Sequence, residues 1–188
     1  MKSYIDLNLS NPALASLAVG LGWGKTFTLN VVQLPTKLRR SNGTGCNLAV
    51  IESTSADLLA ETCKKQSKEF DLINPLQAEK FDKSSALLEM AAAKGKGFEI
   101  PLFPFLHSSL TTRARLIGQT SAFLRKCIKR SIPIIITTRA QTGLDAKSPY
   151  EVLAFCRSLG LNQQEAQACL SLWPEKLLGE TSGLKELE

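Results

Sequence analysis

The chain has 188 residues, 44% of them hydrophobic and 21% charged, with a formal net charge of +6 and a pI of about 9.1. That length suits one domain with a sizeable core, and the excess of basic groups favours polyanionic partners through long-range attraction. No apolar stretch is long enough to span a bilayer, and no signal-like apolar region precedes the first acid, Asp6, so the chain reads as cytoplasmic with no membrane partner.

Strand and helix signals alternate along the chain. Ile5, Leu7 and Leu9 alternate with Tyr4, Asp6 and Asn8, the pattern of a first strand. Asn11-Pro12 looks like a helix cap followed by proline at the first helical position. The apolar run through Val19 then stops in glycines. Gly20-Leu21-Gly22-Trp23-Gly24-Lys25 is glycine-rich but follows a helix and precedes a strand. A dinucleotide loop needs the opposite order, because the phosphate sits on a helix N-terminus. Phe27, Leu29 and Val31 alternate with Thr26, Thr28 and Asn30 as a second strand, and Leu48–Ile51 is a continuous apolar run of the kind found in buried parallel strands. A helix over Ala56–Ser67, a short strand Phe70–Ile73 ended by Asn74-Pro75, and a helix over Ser84–Ala93 follow.

The second half repeats the theme. Phe98–Phe103 reads as a strand, with Phe98, Phe103 and Phe105 as core aromatics. A long helix over Thr111–Lys129 carries an apolar stripe of Leu116, Ile117, Thr120, Phe123, Leu124, Cys127 and Ile128 at helical period. Ile134–Thr137 is the next buried strand. Ser148-Pro149-Tyr150-Glu151 is a capping box, and Asn162 with Glu165 repeats the device for the final helix. The expected organisation is a single domain over residues 1–180 with a short mobile tail at 181–188. Repeated strand–helix units imply a parallel sheet flanked by helices, in either an open doubly wound or a closed barrel form. A typical barrel runs to roughly 250 residues, so a barrel here has to be compact and irregular.

Hydrolytic chemistry is thinly supplied. His107 is the one histidine, and no phosphate loop or nucleophile elbow occurs. The acids at strand ends are Asp6, Glu52 and Glu99. Three acids can hold magnesium, but each can equally pair with a nearby Lys or Arg or accept from backbone amides. Five cysteines without C-x-x-C spacing read as reduced, mostly buried thiols. The basic residues are more telling. Thr111–Arg130 holds Arg113, Arg115, Arg125, Lys126, Lys129 and Arg130 and no acid. The last four suit a helix C-terminus, whereas Arg113 and Arg115 fall in a first turn, where cations are disfavoured and an anion is the natural compensation. Lys37, Arg39 and Arg40 form a second basic cluster suited to a phosphate backbone. Aromatic and basic residues do not interleave, so folded RNA, read by shape and phosphate contacts, fits better than single-strand stacking.

The motifs Phe98-Glu99-Ile100, the early helical Arg113, Thr137-Thr138-Arg139-Ala140, Lys147 two residues before the helix proline, and Gly160-Leu161…Glu165-Ala166 occur in an order that resembles the archaeal ribonuclease P protein component 3 family, whose eukaryotic counterpart is the thirty-kilodalton subunit. The likeness runs from Phe70 to about Glu180, with Tyr4-Ile5-Asp6-Leu7-Asn8 as a looser match in the first half. It implies a TIM-barrel-like fold related to histidinol-phosphatase-type metal phosphoesterases, with Asp6-Leu7-Asn8 standing where those enzymes carry a metal-binding His-x-His. It further implies a subunit that does not cut RNA itself, binds no cofactor, and leaves magnesium to the catalytic RNA that removes the 5′ leader of precursor tRNA. Its implied partners are that RNA, a Pop-five-type subunit and the other ribonuclease P proteins, with precursor tRNA met indirectly. Arg113, Arg115, Thr138, Arg139 and Lys147, joined by Lys37, Arg39 and Arg40, are then the expected RNA-facing residues. Arg139 departs from the small residue usual at its position. The alternative is a small metal-dependent phosphoesterase using Asp6, Glu52 and Glu99.

Overall fold

A computed structural model describes residues 3–36 and 48–180. The strands among them are β1 (Ile5–Asp6), β2 (Lys25–Thr26), β3 (Asn30–Gln33), β4 (Ala49–Glu52), β5 (Leu72–Asn74), β6 (Gly97–Pro101) and β7 (Ile134–Thr137). The helices are α1 (Ala15–Gly20), α2 (Ala56–Gln66), α3 (Ser85–Ala93), α4 (Phe103–His107), α5 (Leu110–Lys129), α6 (Pro149–Ser158), α7 (Gln163–Leu170) and α8 (Leu172–Glu180). Every ladder is parallel, in the orders β1-β2 and β3-β4-β5-β6-β7.

Backbone hydrogen bonds join the two sheets into a ring. Phe27 N donates to Asp6 O at 2.9 Å and Leu9 N to Phe27 O at 2.8 Å, seating β1 on residues 25–27. A few residues later the same stretch pairs with β4, so the single second strand expected from the alternation is broken where the chain changes partners. On the other side, Arg139 N donates to Asn8 O at 2.9 Å just beyond β7. The molecule is thus a compact, irregular TIM-barrel-like fold, and the open alternative is set aside.

Successive strand residues face opposite sides of a sheet, and here that period sorts the core into two layers. Ile51, Ile73, Phe98, Ile100, Ile134 and Ile136 face the helices. Ile5, Leu7, Phe27, Leu29, Leu48, Val50, Leu72 and Ile135 pack together inside the ring. Gly97 belongs to the inner layer: a Cβ there meets Leu72 Cδ2 at 3.1 Å and Pro133 O at 3.2 Å, so a larger residue would have to push both neighbours back by a few tenths of an ångström. One end of the ring is covered by Trp173, Leu177 and Leu178 of α8.

Caps set the helix starts as read from sequence. Asn11 accepts from Ala13 N ahead of a short 3₁₀ turn, and both capping boxes form, at Ser148/Glu151 and Asn162/Glu165. The apolar stripe of α5 buries Thr120, Phe123, Leu124 and Cys127, with the Phe123 ring edge-on to Phe98 at 4.8 Å. Two further elements differ from expectation. The sixth strand ends at Pro101, and Phe103-Pro104 opens α4, because proline suits the first helical turn and not the middle of a ladder. The helix holding Glu165-Ala166 is not the last. It stops at Leu170, and α8 restarts at Leu172, because Pro174 has no N–H to donate and cannot continue the helix above it. Cys63, Cys127, Cys156 and Cys169 are free and buried, and burial pushes the thiols of Cys127 and Cys156 up to about 12. Cys46, Lys37, Arg39, Arg40 and residues 181–188 lie outside the described residues. No helix among the described residues is long and apolar enough to cross a membrane.

Candidate nucleic-acid interface at the barrel mouth

The inner face turns polar at the carboxyl ends of the strands. Two residues beyond Val50, Leu72 and Ile135, the period brings Glu52, Asn74 and Thr137 inward, and Glu99 follows two residues after Gly97. All four are buried. Arg139 reaches back over them from the turn after β7. Its Nε donates to Glu99 Oε1 at 3.1 Å, Nη1 donates to Glu52 Oε2 at 3.0 Å, and Nη2 bonds Glu99 Oε2. Asn8 Nδ2 donates to Glu99 Oε1 at 2.8 Å, Thr137 Oγ1 to the same oxygen at 2.7 Å, and Asn74 Nδ2 to Glu52 Oε2 at 2.8 Å. Burial works against the Arg139 charge, but Glu99 and then Glu52 more than offset it and raise the guanidinium further above its ordinary value.

Asp6 stands beside this network, and among the described residues no cation pairs with it. Its carboxylate accepts from Thr138 N at 3.2 Å, from Asn8 N at 3.3 Å and from the Thr138 hydroxyl. Burial nevertheless pushes Asp6 up to about 6; the hydrogen bonds from Thr138 and Asn8 oppose that rise, and the charge of Glu99 adds to it. The three acids of the phosphoesterase alternative therefore have internal partners: Glu52 and Glu99 share Arg139, and Asp6 is held by Thr138. Among the described residues no group of three or more His, Cys, Asp or Glu side chains is arranged to hold a metal ion.

The structure brings Arg113, Arg115, Thr138, Arg139 and Lys147 to this same end of the barrel, where α5 and α6 begin. It uses them differently. Arg113 Nη2 donates to the carbonyls of Leu106 and Ser108 at 2.9 and 3.0 Å, tying off the end of α4. A cation in the first turn of α5 is thus accounted for by orphan carbonyls of the preceding helix, a short element the sequence pattern did not reveal. Thr138 is 1% exposed and faces Asp6. The Arg139 side chain is 13% exposed and spent on two carboxylates, so both belong to the framework beneath the rim. Arg115 is exposed on the rim and lines a cleft of about 510 Å³ with Gln77, Glu79, Lys80, Ser108 and Thr112. Lys147 Nζ donates to Leu144 O at 2.9 Å, and its carbonyl accepts from Trp23 Nε1 at 2.8 Å.

One contact had no signal in the sequence. His107 Nε2 lies 2.6 Å from Asp145 Oδ1, joining α4 to the loop after β7, while its ring stacks on Phe103. Burial alone raises the Asp145 carboxyl, but hydrogen bonds from His107, Thr142 and Gln141 outweigh it and hold the group at about 2.

Comparison with known proteins bears on this mouth. The model of the family described as RNase P subunit p30 matches residues 30–185. Ribonuclease P protein component 3 of Methanosarcina mazei is 32% identical over 123 residues, which is 63% of this chain and 52% of that protein. The protein of the same name from Methanothermobacter thermautotrophicus is 25% identical over an alignment that takes in 100% of this chain and 75% of its own length. The chain thus spans about half the length of the Methanosarcina relative. A chain in a cryo-EM structure of archaeal ribonuclease P with mature tRNA shares the fold at a TM-score of 0.70 and 14% identity, covering 96% of this chain and 82% of that one. The matched segment runs from β3 through Glu52 and Glu99 to α8 and on past it, and by that match this chain belongs to the RNase P subunit p30 family.

Proposed function

We propose that this chain is a non-catalytic, RNA-binding subunit of ribonuclease P that stabilises the catalytic RNA for removal of the 5′ leader from precursor tRNA. One observation carries the reading within that family: Arg139 is ion-paired with both buried glutamates of the barrel mouth, which leaves neither of them open among the described residues at the place where related barrels do chemistry. The bond is then cut by RNA, with magnesium held there. The protein contributes a rigid rim carrying Arg115 and Lys147, and the Lys37, Arg39 and Arg40 cluster adds charge. Arg113, Thr138 and Arg139 hold that rim in shape from within. The partners are the ribonuclease P RNA, a Pop-five-type subunit and the remaining ribonuclease P proteins, all in the cytoplasm, and precursor tRNA is met through the RNA.

Reconstitution tests this. The chain, its cognate RNA and a Pop-five-type partner are mixed, and 5′ processing is measured with and without the chain. Binding of the chain to the RNA is followed against salt. Neutralising about six phosphates predicts a slope on the order of −4 to −5 in a log–log plot. Arg115→Glu combined with Lys147→Glu lowers that slope by about 2. A flat salt response, or processing that does not change when the chain is left out, refutes the reading.

A further inference from the structure

We propose that Arg139 is the resident cation of the barrel mouth, a covalently tethered counter-ion that fastens the ends of β4, β6 and β7 as a divalent metal does in an oxygen-lined site. Three observations converge on it. First, the guanidinium bridges Glu52 and Glu99, which lie on different strands, and Glu99 is wholly buried. Burying carboxylates costs them their hydration, and that cost is offset where a positive group pairs with them. Second, the remaining donors around the glutamates are neutral: Asn8, Asn74 and Thr137. Arg139 supplies the positive charge in the network. Third, the backbone is bent to deliver it. Arg139 has φ +46°, a left-handed conformation that favours glycine and costs an ordinary residue. The cost of that conformation, two residues past the end of β7, is offset by the two carboxylates the head group reaches.

Without the guanidinium, the oxygens left facing one another are of the kind hard divalent cations prefer: the carboxylates of Glu52 and Glu99 and the hydroxyl of Thr137. Removing the tether therefore converts the mouth from one that carries its own cation to one that needs a dissolved one. Arg139→Gly is the variant of choice, since glycine relieves the φ strain while deleting the charge. Thermal unfolding of the full chain is followed in EDTA and in 1 mM MnCl₂. In EDTA the variant melts roughly 5 °C or more below the parent. Manganese restores at least half of that loss in the variant and leaves the parent unmoved. The response disappears in Arg139→Gly combined with Glu99→Gln, where the cage has lost a carboxylate. Arg139→Lys, a cation without the fork, melts between parent and glycine variant in EDTA. Where the glycine variant does not accumulate as folded protein, it is refolded from denaturant with either MnCl₂ or EDTA; soluble recovery with manganese alone supports the proposal. The proposal is overturned if the glycine variant is as stable as the parent in EDTA, if manganese leaves it unchanged, if the double variant responds as strongly, or if refolding fails with both additives.

Discussion

Asp6 offers the sharpest test of how this mouth is balanced, because it is a buried acid whose surroundings do not fully support its charge. Its carboxyl rises from an ordinary 3.8 to about 6. At about 1.4 kcal/mol for each tenfold change in proton affinity, holding Asp6 ionised costs the fold about 3 kcal/mol at neutral pH. The direction follows from proton counting. Between about pH 4 and pH 6 the folded chain keeps a proton on Asp6 that the unfolded chain has released, so stability from this group falls as pH rises through that window. Asp6→Asn removes the titration while keeping an oxygen for the amides of Thr138 and Asn8, and its amide can donate to the Thr138 hydroxyl. The variant is therefore expected to gain 1–3 kcal/mol at pH 8, in order of magnitude, and to lose the parent's decline across pH 4–6. Urea unfolding at half-unit pH steps, read by the fluorescence of Trp23 and Trp173, measures both, provided the urea slope is unchanged. A loss of more than about 1 kcal/mol at pH 8, or parallel pH curves for the two proteins, refutes the reasoning.

Other perturbations bear on neighbouring parts of the mouth. Glu99→Gln leaves the buried Arg139 with one carboxylate and is expected to destabilise by about 3–5 kcal/mol in the same urea assay, the range for breaking one side of a buried ion pair. Asp145→Asn should free the loop between β7 and α6. In the parent, the contribution of Asp145 is present above about pH 4 and lost as pH falls toward its folded value of about 2, so the protection of amides 141–147 relative to intrinsic exchange falls in acid in the parent and is already low at pH 7 in the variant. Ser148→Ala deletes one half of a capping box that forms in full, at a cost of about 1 kcal/mol; a smaller effect than that of Glu99→Gln is required if the mouth network is the stronger element.

Much of this fold can be read locally, and the parts that cannot are those decided at a distance. Ile134–Thr137 is buried on both faces and spells out an unbroken apolar run, so its bounds come straight from the chain. The two capping boxes are legible for the same reason, since cap and partner lie three residues apart. Arg139 is the opposite case. Its partners lie 40 and 87 residues away, and no local pattern separates an arginine that faces solvent from one that turns inward to two glutamates. Placing it on an RNA surface reads charge without knowing its counter-ion. Arg113 is a similar case, because the carbonyls it satisfies lie in and just after α4, five residues containing a proline and offering no helical period. Helix α8 escapes detection because its apolar side chains face the barrel interior and its proline mimics a stop. Glu52 and Glu99 were visible at their strand ends, since the inner face simply continues its two-residue period past the last apolar layer, whereas Asp6 alternates with the inner Ile5 and Leu7 and does not follow that rule.

The helical lid on one end of the barrel has a bearing on how the chain is made. Trp173, Leu177 and Leu178 meet Ile5, Leu7 and Ile135 across almost the entire length of the polypeptide. While residues 172–180 are still inside the ribosome, the inner leucines and valines have no floor and remain open to water. Such late, distant closure is slow and leaves sticky surface in view. Closure of the ring is therefore expected to wait until the lid segment has emerged, and the inner leucines and valines stay exposed to chaperones until it does.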